Sequence, residues 1–277
     1  MADETDLKAV SSHFEFGENW RSYSDLIDEH AIIQAEEGLL KLVPREQWAS
    51  ARMLDIGSGS GLHALAALRL GAEEVVAIDI DPNSVETTAK VLAANAPGKR
   101  FRTQLLSVFD ADPKELGQFD IVYSWGVLHH TGDLWTAIDK AAAVVRPGGL
   151  FVIALYQKRA TCGFWSWEKR LYTKAGELPR KLLRGAYAGM VFAYLVLHGR
   201  NPVAYVRGYA SSRGMSFWHD IHDWLGGFPY ESSTAQETVD YVGKLELVPE
   251  RVMALPRGLG LFGTGCAEYV FRRRSND

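Results

Sequence analysis

An apolar run with an acid as its last residue but one, followed by three alternating glycines, constrains the fold of this chain more than any other feature. Residues 51–56 read Ala-Arg-Met-Leu-Asp-Ile, and residues 57–61 read Gly-Ser-Gly-Ser-Gly. Glycine lets the backbone turn sharply and lets a ligand touch it, because no Cβ intervenes. Residues 62–70 then show helical periodicity and stop before Gly71. The pattern predicts a strand, a ligand-binding loop and a helix.

Short apolar runs and helical segments continue to alternate after this unit. Pro82 stands where a second helix is expected to begin. Further strands are predicted at residues 74–79, 101–106, 119–124 and 149–155, and an amphipathic helix at residues 134–145. Five strands with intervening helices predict a parallel, doubly wound α/β sheet with right-handed crossovers.

The alternation stops after Tyr156 and resumes near Thr234. Residues 157–232 hold 14 of the chain's 31 aromatic residues in helical patterns with no clear partner strand. From Thr234, the sequence Thr-Ala-Gln-Glu is a capping box that opens a helix. Residues 245–255 and 266–273 follow as a predicted antiparallel pair. We expect a helical cap at 1–50, a core at 51–156 and 233–277, and an aromatic-rich helical lid at 157–232.

Composition supports one large folded unit in a reducing compartment. The chain has 277 residues, of which 47% are hydrophobic and 23% charged, so a sizeable core can be buried. Cys162 and Cys266 are the chain's two cysteines, which excludes a disulfide framework or a clustered zinc site. The acidic first ten residues lack the basic and apolar regions of a signal peptide. We therefore expect a cytoplasmic location.

The glycine loop fits two classes of cofactor. Residues 59–64, Gly-Ser-Gly-Leu-His-Ala, satisfy the G-x-G-x-x-G/A pattern of nicotinamide dinucleotide sites. Residues 55–61 equally satisfy Asp-x-Gly-x-Gly-x-Gly. This second pattern, together with residues 119–156 (FDIVYSWGVLHHTGDLWTAIDKAAAVVRPGGLFVIALY), resembles the class I S-adenosylmethionine-dependent methyltransferases of the small-molecule type, including quinone-biosynthesis and glycan-modifying members.

The resemblance covers about residues 51–155 and the C-terminal strand pair. It implies a Rossmann-like, seven-stranded, mostly parallel sheet and S-adenosylmethionine as the cofactor. In that family the acid and glycines of the loop hold the methionine part, an acid after the second strand binds the ribose, and residues after the third strand meet the adenine. Carried onto this chain, the resemblance implies cofactor contacts by Asp55, Gly57, Gly59, Gly61, Asp79, Ile80, Ser107, Val108 and Trp125. Asp110 competes with Ser107 for the adenine.

The segment after the fourth strand bears on the acceptor. Residues 124–127 read Ser-Trp-Gly-Val, whereas enzymes that methylate nucleobase amines or glutamine amides usually carry Asn/Asp-Pro-Pro-Tyr there. We therefore expect methyl transfer to a small or lipophilic molecule, with oxygen favoured and a small thiol as the alternative. A hydroxyl acceptor needs a base to remove its proton. His129, with His130 second, is the predicted base, because ligands bind at the carboxyl ends of strands in open α/β sheets.

Two features of the predicted lid concern the acceptor and partners. In FWHDIHDW, residues 217–224, the pairs His219-Asp220 and His222-Asp223 contain metal-ligand types. Methyl transfer to oxygen or sulfur requires no metal, so we predict no metal site. The residues expected to line the acceptor site are Trp20, Tyr23, His219, His222 and Tyr230.

The second feature is charge. Residues 157–214 hold eleven Lys and Arg against two acids. Such a patch is either a solvated helix face or an attraction for anions. We expect no nucleic-acid partner, and we consider peripheral membrane contact through this segment; the oligomeric state stays open.

Overall fold

One seven-stranded sheet organises the described part of the chain. The computed structural model describes residues 7–8, 13–14, 16–24, 27–209, 216–256, 258, 260 and 262–275, without the side chains at positions 18, 19, 22 and 23. The strands are β1 (Arg52–Ile56), β2 (Glu74–Asp79), β3 (Arg100–Leu105), β4 (Phe119–Trp125), β5 (Val145–Tyr156), β6 (Leu247–Met253) and β7 (Cys266–Arg273). Their order is β3-β2-β1-β4-β5-β7-β6, and β7 runs antiparallel to both its neighbours. The predicted Rossmann-like, mostly parallel sheet is confirmed.

Helices cover both faces of this sheet and its edge. They are α1 (Phe16–Ser24), α2 (Glu29–Leu42), α3 (Leu62–Leu70), α4 (Pro82–Asn95), α5 (Pro113–Leu116), α6 (Leu134–Ala143), α7 (Cys162–Lys174), α8 (Glu177–Leu197), α9 (Pro202–Arg207), α10 (Phe217–Gly226) and α11 (Ala235–Gly243). The sequence predicts one helical segment over about 18–43, whereas the structure has two helices there. Asp28 separates them, because its side chain accepts the N–H of Ala31 (2.8 Å) and so caps the start of α2.

Each central strand is buried on both faces, which explains the continuous apolar runs in the sequence. In β1, Met53 packs into the layer that contains α2 and α3, whereas Leu54 packs into the layer that contains α6 and α11. Both side chains are fully buried. The sheet therefore has two cores, and the carboxyl ends of its parallel strands face the lid.

The predicted lid packs around a third hydrophobic cluster, which also includes Phe14 from the N-terminal segment. Trp165 and Tyr172 of α7 pack there with Phe217, Ile221 and Leu225 of α10. The two ends of the predicted lid lie side by side, since residues 157 and 233 form a β-bridge. The lid thus leaves and rejoins the sheet at one place, beside the carboxyl end of β5.

Asp81 joins α1 to the core. Its side chain accepts the N–H of Asn83 (2.8 Å), which caps α4, and also the N–H of Gly17 (3.1 Å) in α1. A Cβ at position 17 would lie 2.3 Å from the Asp81 carboxylate, so this approach requires glycine. One buried carboxylate therefore fixes two helices.

Replacement of Asp81 is expected to release α1 as well as to weaken α4. Thr234→Ala is the matched control, because Thr234 caps α11 without holding a second helix. Loss of a cap costs about 1 kcal/mol, and Asp81→Ala loses a further hydrogen bond of about 1 kcal/mol. Urea denaturation should show the larger loss for Asp81→Ala, together with faster tryptic cleavage after Arg21. Equal losses and unchanged cleavage would contradict this role.

Candidate active site

The glycine loop lies between β1 and α3 and is covered on two sides. Gly57 (φ +75°) and Gly59 (φ +54°) adopt left-handed backbone conformations that favour glycine. A Cβ on Gly57 would lie 2.5 Å from the side chain of Val127 in the segment after β4. A Cβ on Gly59 would lie 3.2 Å from the indole of Trp20 in α1. Trp20, predicted to line the acceptor site, therefore lies against the glycine loop.

Asp79 ends β2 and ties the glycine loop to α4. One carboxylate oxygen accepts the N–H of Gly59 (3.0 Å), and the other accepts the N–H of Asp81 (2.9 Å). Burial raises the pKa of Asp79 to about 6, although these backbone hydrogen bonds act in the opposite direction. The carboxylate sits at the edge where the resemblance implies ribose binding, and Ile80 beside it is half-buried.

Asp55, in β1, has an unsatisfied buried oxygen. The residue is 3% exposed, and its Oδ2 has no hydrogen-bond donor among the described residues. Burial, followed by the nearby charge of Asp79, raises the pKa of Asp55 to about 7. An unpaired buried carboxylate is costly unless a ligand supplies the missing donor. This orphaned oxygen fits a cofactor that carries an ammonium group and a sulfonium.

The end of β3 lies beside Asp79. The N–H of Leu106 donates to the backbone oxygen of Asp79 (2.9 Å), so Ser107 and Val108 follow at the same edge. Ser107 accepts the N–H of Phe109 (3.3 Å), and Val108 is buried. Asp110, the competitor for the adenine, instead forms a surface ion pair with Lys8.

Trp125, at the end of β4, points toward the far edge of the sheet. Its Nε1 donates to Glu268 of β7 (2.9 Å), and 44% of its surface is exposed. Its ring centroid lies 6.3 Å from that of His63 at the start of α3. Burial lowers the pKa of His63 to about 4. Sequence reasoning did not single out His63, whose only signal is its position directly after the glycine loop.

His129 and His130 lie in a 3-10 turn after β4, with ring centroids 4.4 Å apart. His129 is fully buried, and its Nδ1 accepts the N–H of Tyr156 (3.2 Å). The proton of the neutral ring therefore sits on Nε2, which has no partner among the described residues. Burial holds the pKa of His129 well below its usual range.

His130 is bonded in the opposite sense. Its Nδ1 lies 2.7 Å from the carbonyl oxygen of Pro229, to which it donates. Its Nε2 is therefore the atom with a free lone pair. Burial lowers the pKa of His130 to about 3. Both imidazoles are thus neutral and weakly basic in this closed structure.

FWHDIHDW forms α10, and its two histidines point to different partners. His219 Nδ1 lies 2.5 Å from Ser216 Oγ, whereas His222 Nδ1 lies 2.7 Å from the hydroxyl of Tyr172. Burial lowers the pKa of both rings. Across the described ranges, no three His, Cys, Asp or Glu side chains converge as a metal site.

The remaining predicted acceptor residues are Tyr230 and Tyr23. Tyr230 is buried and donates to Thr264 (3.1 Å), and its ring lies 5.3 Å from that of Tyr156. The side chain of Tyr23 lies outside the described residues.

Two buried charged residues of α7 also lie beside this region and were missed by the sequence interpretation. Lys169 is fully buried and Glu168 is 6% exposed. Nζ of Lys169 lies 3.7 Å from the centroid of the Trp224 ring. The available sequence signal was the spacing 165, 168, 169, 172, which is one face of a helix.

Comparisons with known proteins agree with this geometry. Residues 54–153 match the family model described as "Methyltransferase domain". Over 103 residues the chain is 36% identical to a ubiquinone biosynthesis O-methyltransferase of Bradyrhizobium sp. (strain ORS 278), a match that covers 37% of this chain and 39% of that relative. The chain thus spans well under half the length of this relative.

Solved structures share the fold at low sequence identity. An O-methyltransferase family protein from Burkholderia thailandensis has a TM-score of 0.55 at 16% identity, over 93% of this chain and 60% of that one. Magnesium protoporphyrin IX methyltransferase from Synechocystis PCC 6803, with bound S-adenosylhomocysteine, has a TM-score of 0.53 at 13% identity, over 88% of this chain and 84% of that one.

The chain contains a class I S-adenosylmethionine-dependent methyltransferase domain. The predicted family, enzyme class and cofactor are thereby confirmed for this domain.

Cofactor binding is expected to depend on pH through Asp55. Because folding raises the pKa of Asp55 from 3.8 to about 7, the ligand-free protein loses stability as pH rises between these values. A ligand that places its ammonium group beside Asp55 prefers the ionised carboxylate, so its affinity should rise over the same range. Between pH 6 and pH 7, calorimetry should show S-adenosylhomocysteine binding about fivefold more tightly, because the ionised fraction of Asp55 rises by about that factor.

Asp55→Asn should bind more weakly and lose most of this pH dependence, keeping the smaller part that Asp79 contributes. Asp240→Asn, which alters an exposed carboxylate on α11, is the control and should behave as wild type. An unchanged pH profile in Asp55→Asn would remove Asp55 from cofactor binding.

Proposed function

We propose that this protein transfers the methyl group of S-adenosylmethionine to a small or lipophilic acceptor, with oxygen as the favoured acceptor atom. The proposal rests on two carboxylates that lie beside one glycine loop. Asp55 Oδ2 has no hydrogen-bond donor among the described residues, and Asp79 accepts the N–H of Gly59. When bound, the cofactor supplies a methyl group on an electrophilic sulfonium. The residues that we propose to hold it are Asp55, Gly57, Gly59, Gly61, Asp79, Ile80, Ser107, Val108 and Trp125.

The protein's own task is to bind, orient and exclude water. Alignment of the reacting groups contributes about 7–11 kcal/mol in such reactions. The Trp20 indole supports this role on the cofactor side, because it covers Gly59. On the other side the lid brings buried aromatic rings to the ends of β4 and β5, where the acceptor is proposed to bind. His219, His222, Tyr23 and Tyr230 remain proposals as acceptor contacts.

The choice between oxygen and sulfur depends on a base. The relative matched above is by name an O-methyltransferase, which supports oxygen. Of the two imidazoles proposed as the base, His130 has the free lone pair, whereas His129 carries its proton on Nε2. The low basicity of both supports the alternative of a small thiol, since a thiol is partly ionised near neutral pH. Mass spectrometry of the methylated product from a mixed panel of phenols and thiols distinguishes the two.

Cofactor identity gives the first test. S-adenosylhomocysteine should raise the melting temperature by mass action, and NADH should not. Asp79→Asn removes a charged acceptor, which is worth about 1.5–3 kcal/mol, so affinity should fall at least about tenfold.

Asp110→Asn is the matched control. It should keep the shift, because the proposal assigns the adenine to Ser107 and Val108. Stabilisation by NADH in place of S-adenosylhomocysteine would contradict the proposal. Loss of the melting-temperature shift in Asp110→Asn would instead assign the adenine contact to Asp110.

Peripheral contact with an anionic membrane is part of the proposal, because it would give the enzyme a lipophilic acceptor. On α7, Phe164, Trp167 and Leu171 lie at helical spacing and are 55%, 61% and 48% exposed. On α8, Leu178 and Leu182 are 69% and 67% exposed. Amphipathic helices with apolar and basic residues of this kind lie in the membrane interface. None of the described helices is both long and apolar enough to cross a bilayer; a cytoplasmic location stays a prediction.

The membrane proposal is tested by co-sedimentation with vesicles of phosphatidylcholine and phosphatidylglycerol. The double variant Trp167→Glu, Leu182→Glu should lose at least about tenfold in affinity, because a buried apolar side chain of this size contributes about 1.5–3 kcal/mol. Ile33→Glu changes an exposed apolar residue of α2, outside the lid, and should bind as wild type. Wild-type protein that stays in the supernatant, or a double variant that pellets equally, would contradict the proposal.

A further inference from the structure

The inward face of α7 combines two aromatic residues with two charged ones. Trp165, Glu168, Lys169 and Tyr172 are the buried residues of this helix. Within the described part of the chain, Nζ of Lys169 and both carboxyl oxygens of Glu168 have no hydrogen-bond partner. Buried lysine and glutamate are rare unless they are paired, and an ammonium has three donors to satisfy. A ligand bound here would supply the missing hydrogen-bond partners.

Lys169 is surrounded by aromatic rings. Its Nζ lies 3.7 Å from the ring centroid of Trp224 and 5.5 Å from that of Tyr230. The Tyr156 ring lies 5.4 Å from Trp224 and 5.3 Å from Tyr230, and 3.9 Å from the ring of His129. We call these five residues, Lys169, Trp224, Tyr230, Tyr156 and His129, the Lys169 cluster.

The Lys169 cluster adjoins the cofactor loop. Tyr156 is the last residue of β5, and His129 follows β4, so both lie at the carboxyl edge of the sheet. Val127, two residues before His129, lies so close to Gly57 that a Cβ on Gly57 would clash with its side chain. The cluster therefore lies at the same edge of the sheet as the loop proposed to hold the methyl donor.

The unpaired nitrogen atoms in the Lys169 cluster match an oxygen ligand. His129 Nε2 carries a proton, because its Nδ1 accepts the N–H of Tyr156. Trp224 Nε1 is a donor as well, and it too lacks an acceptor among the described residues. With Lys169 Nζ, three buried nitrogen donors thus lack acceptors around one set of flat rings. A flat ligand that presents an oxygen atom would satisfy them.

Burial also sets the protonation of Lys169 before a ligand arrives. It lowers the pKa of Lys169, and it raises the pKa of Glu168. The charges of Glu168 and Asp223 act in the opposite direction on Lys169, and the charge of Lys169 does so on Glu168. The charge of Lys169 in turn lowers the pKa of both His129 and His130. A neutral amine at this position can accept a proton from an acidic hydroxyl.

We propose that Lys169 binds and deprotonates the acceptor, and that the acceptor is a phenol or a comparably acidic hydroxyl on a flat ring. This inference rests on the proposed methyl-transfer function. The O–H proton passes to Nζ, which becomes an ammonium beside the phenolate. The oxygen lone pair then forms the new O–CH3 bond as the S–CH3 bond breaks, which leaves S-adenosylhomocysteine, the methyl ether and a proton on Lys169 that is lost to solvent. The acceptor ring would pack against the aromatic rings of the cluster.

The probe for this proposal is 4-nitrophenol, because its phenolate is yellow and its neutral form is not. The full-length protein is titrated with 4-nitrophenol, in the presence of S-adenosylhomocysteine, over a range of pH. A positive charge within about 4–6 Å lowers the pKa of an acid by one to three units, so the bound probe should stay yellow at least one pH unit lower than the free probe. Lys169→Arg should keep this shift, and Lys169→Met should lose it. Lys174→Met, on the exposed side of the same helix, is the control and should behave as wild type.

If Lys169 had only a structural role, its replacement would not change the pKa of the bound probe. The proposal is overturned if wild-type protein binds 4-nitrophenol in its neutral form, if it shows no saturable binding, or if Lys169→Met retains the shift in a folded protein. Folding is checked by the melting temperature and by the shift that S-adenosylhomocysteine produces. That same shift separates the two failures: if it persists while the probe fails, the cofactor assignment stands and only the acceptor assignment falls.

Discussion

The rest of the site depends on the hydrogen bonds that the Asp79 carboxylate accepts. Its two oxygens accept backbone N–H groups from Gly59 in the loop after β1 and from Asp81 before α4. Asp81 in turn caps α4 and holds Gly17 of α1, which brings Trp20 against the loop. These hydrogen bonds thus connect the end of β2 to α1, the helix that covers the glycine loop.

Unsatisfied buried polar groups mark the two halves of the proposed active site. The oxygen of Asp55 lies on the cofactor side, and the nitrogen atoms of Lys169 and His129 lie on the acceptor side. Buried polar atoms in folded proteins are otherwise almost always paired. Among the described residues, Asp139, Tyr269 and Arg273 also have unpaired buried atoms, but those of Asp55, His129 and Lys169 lie near the carboxyl edge of the sheet, where ligands bind in such folds.

The sequence predicts the sheet well, because apolar runs and glycine punctuation are local signals. Strand β2 has the predicted bounds, and Thr234 caps α11 as expected. The sequence analysis missed the break in the N-terminal helix. Asp28 is a residue type that caps helices, but the helical pattern on both sides of it hides this signal. Lys169 could not be placed from sequence, since its burial arises from Trp224 and Tyr230, which are distant along the chain. His129 was located at the correct edge, but its hydrogen bond from Tyr156 depends on a neighbouring strand.

A crystal structure with bound S-adenosylhomocysteine tests the central claim most directly. The account predicts the ribose hydroxyls on Asp79, the amino acid part of the ligand beside Gly57–Gly61 with a donor on Asp55 Oδ2, and the thioether sulfur facing the Lys169 cluster. A ligand bound elsewhere, or with its sulfur turned away from Lys169 and His129, would contradict it.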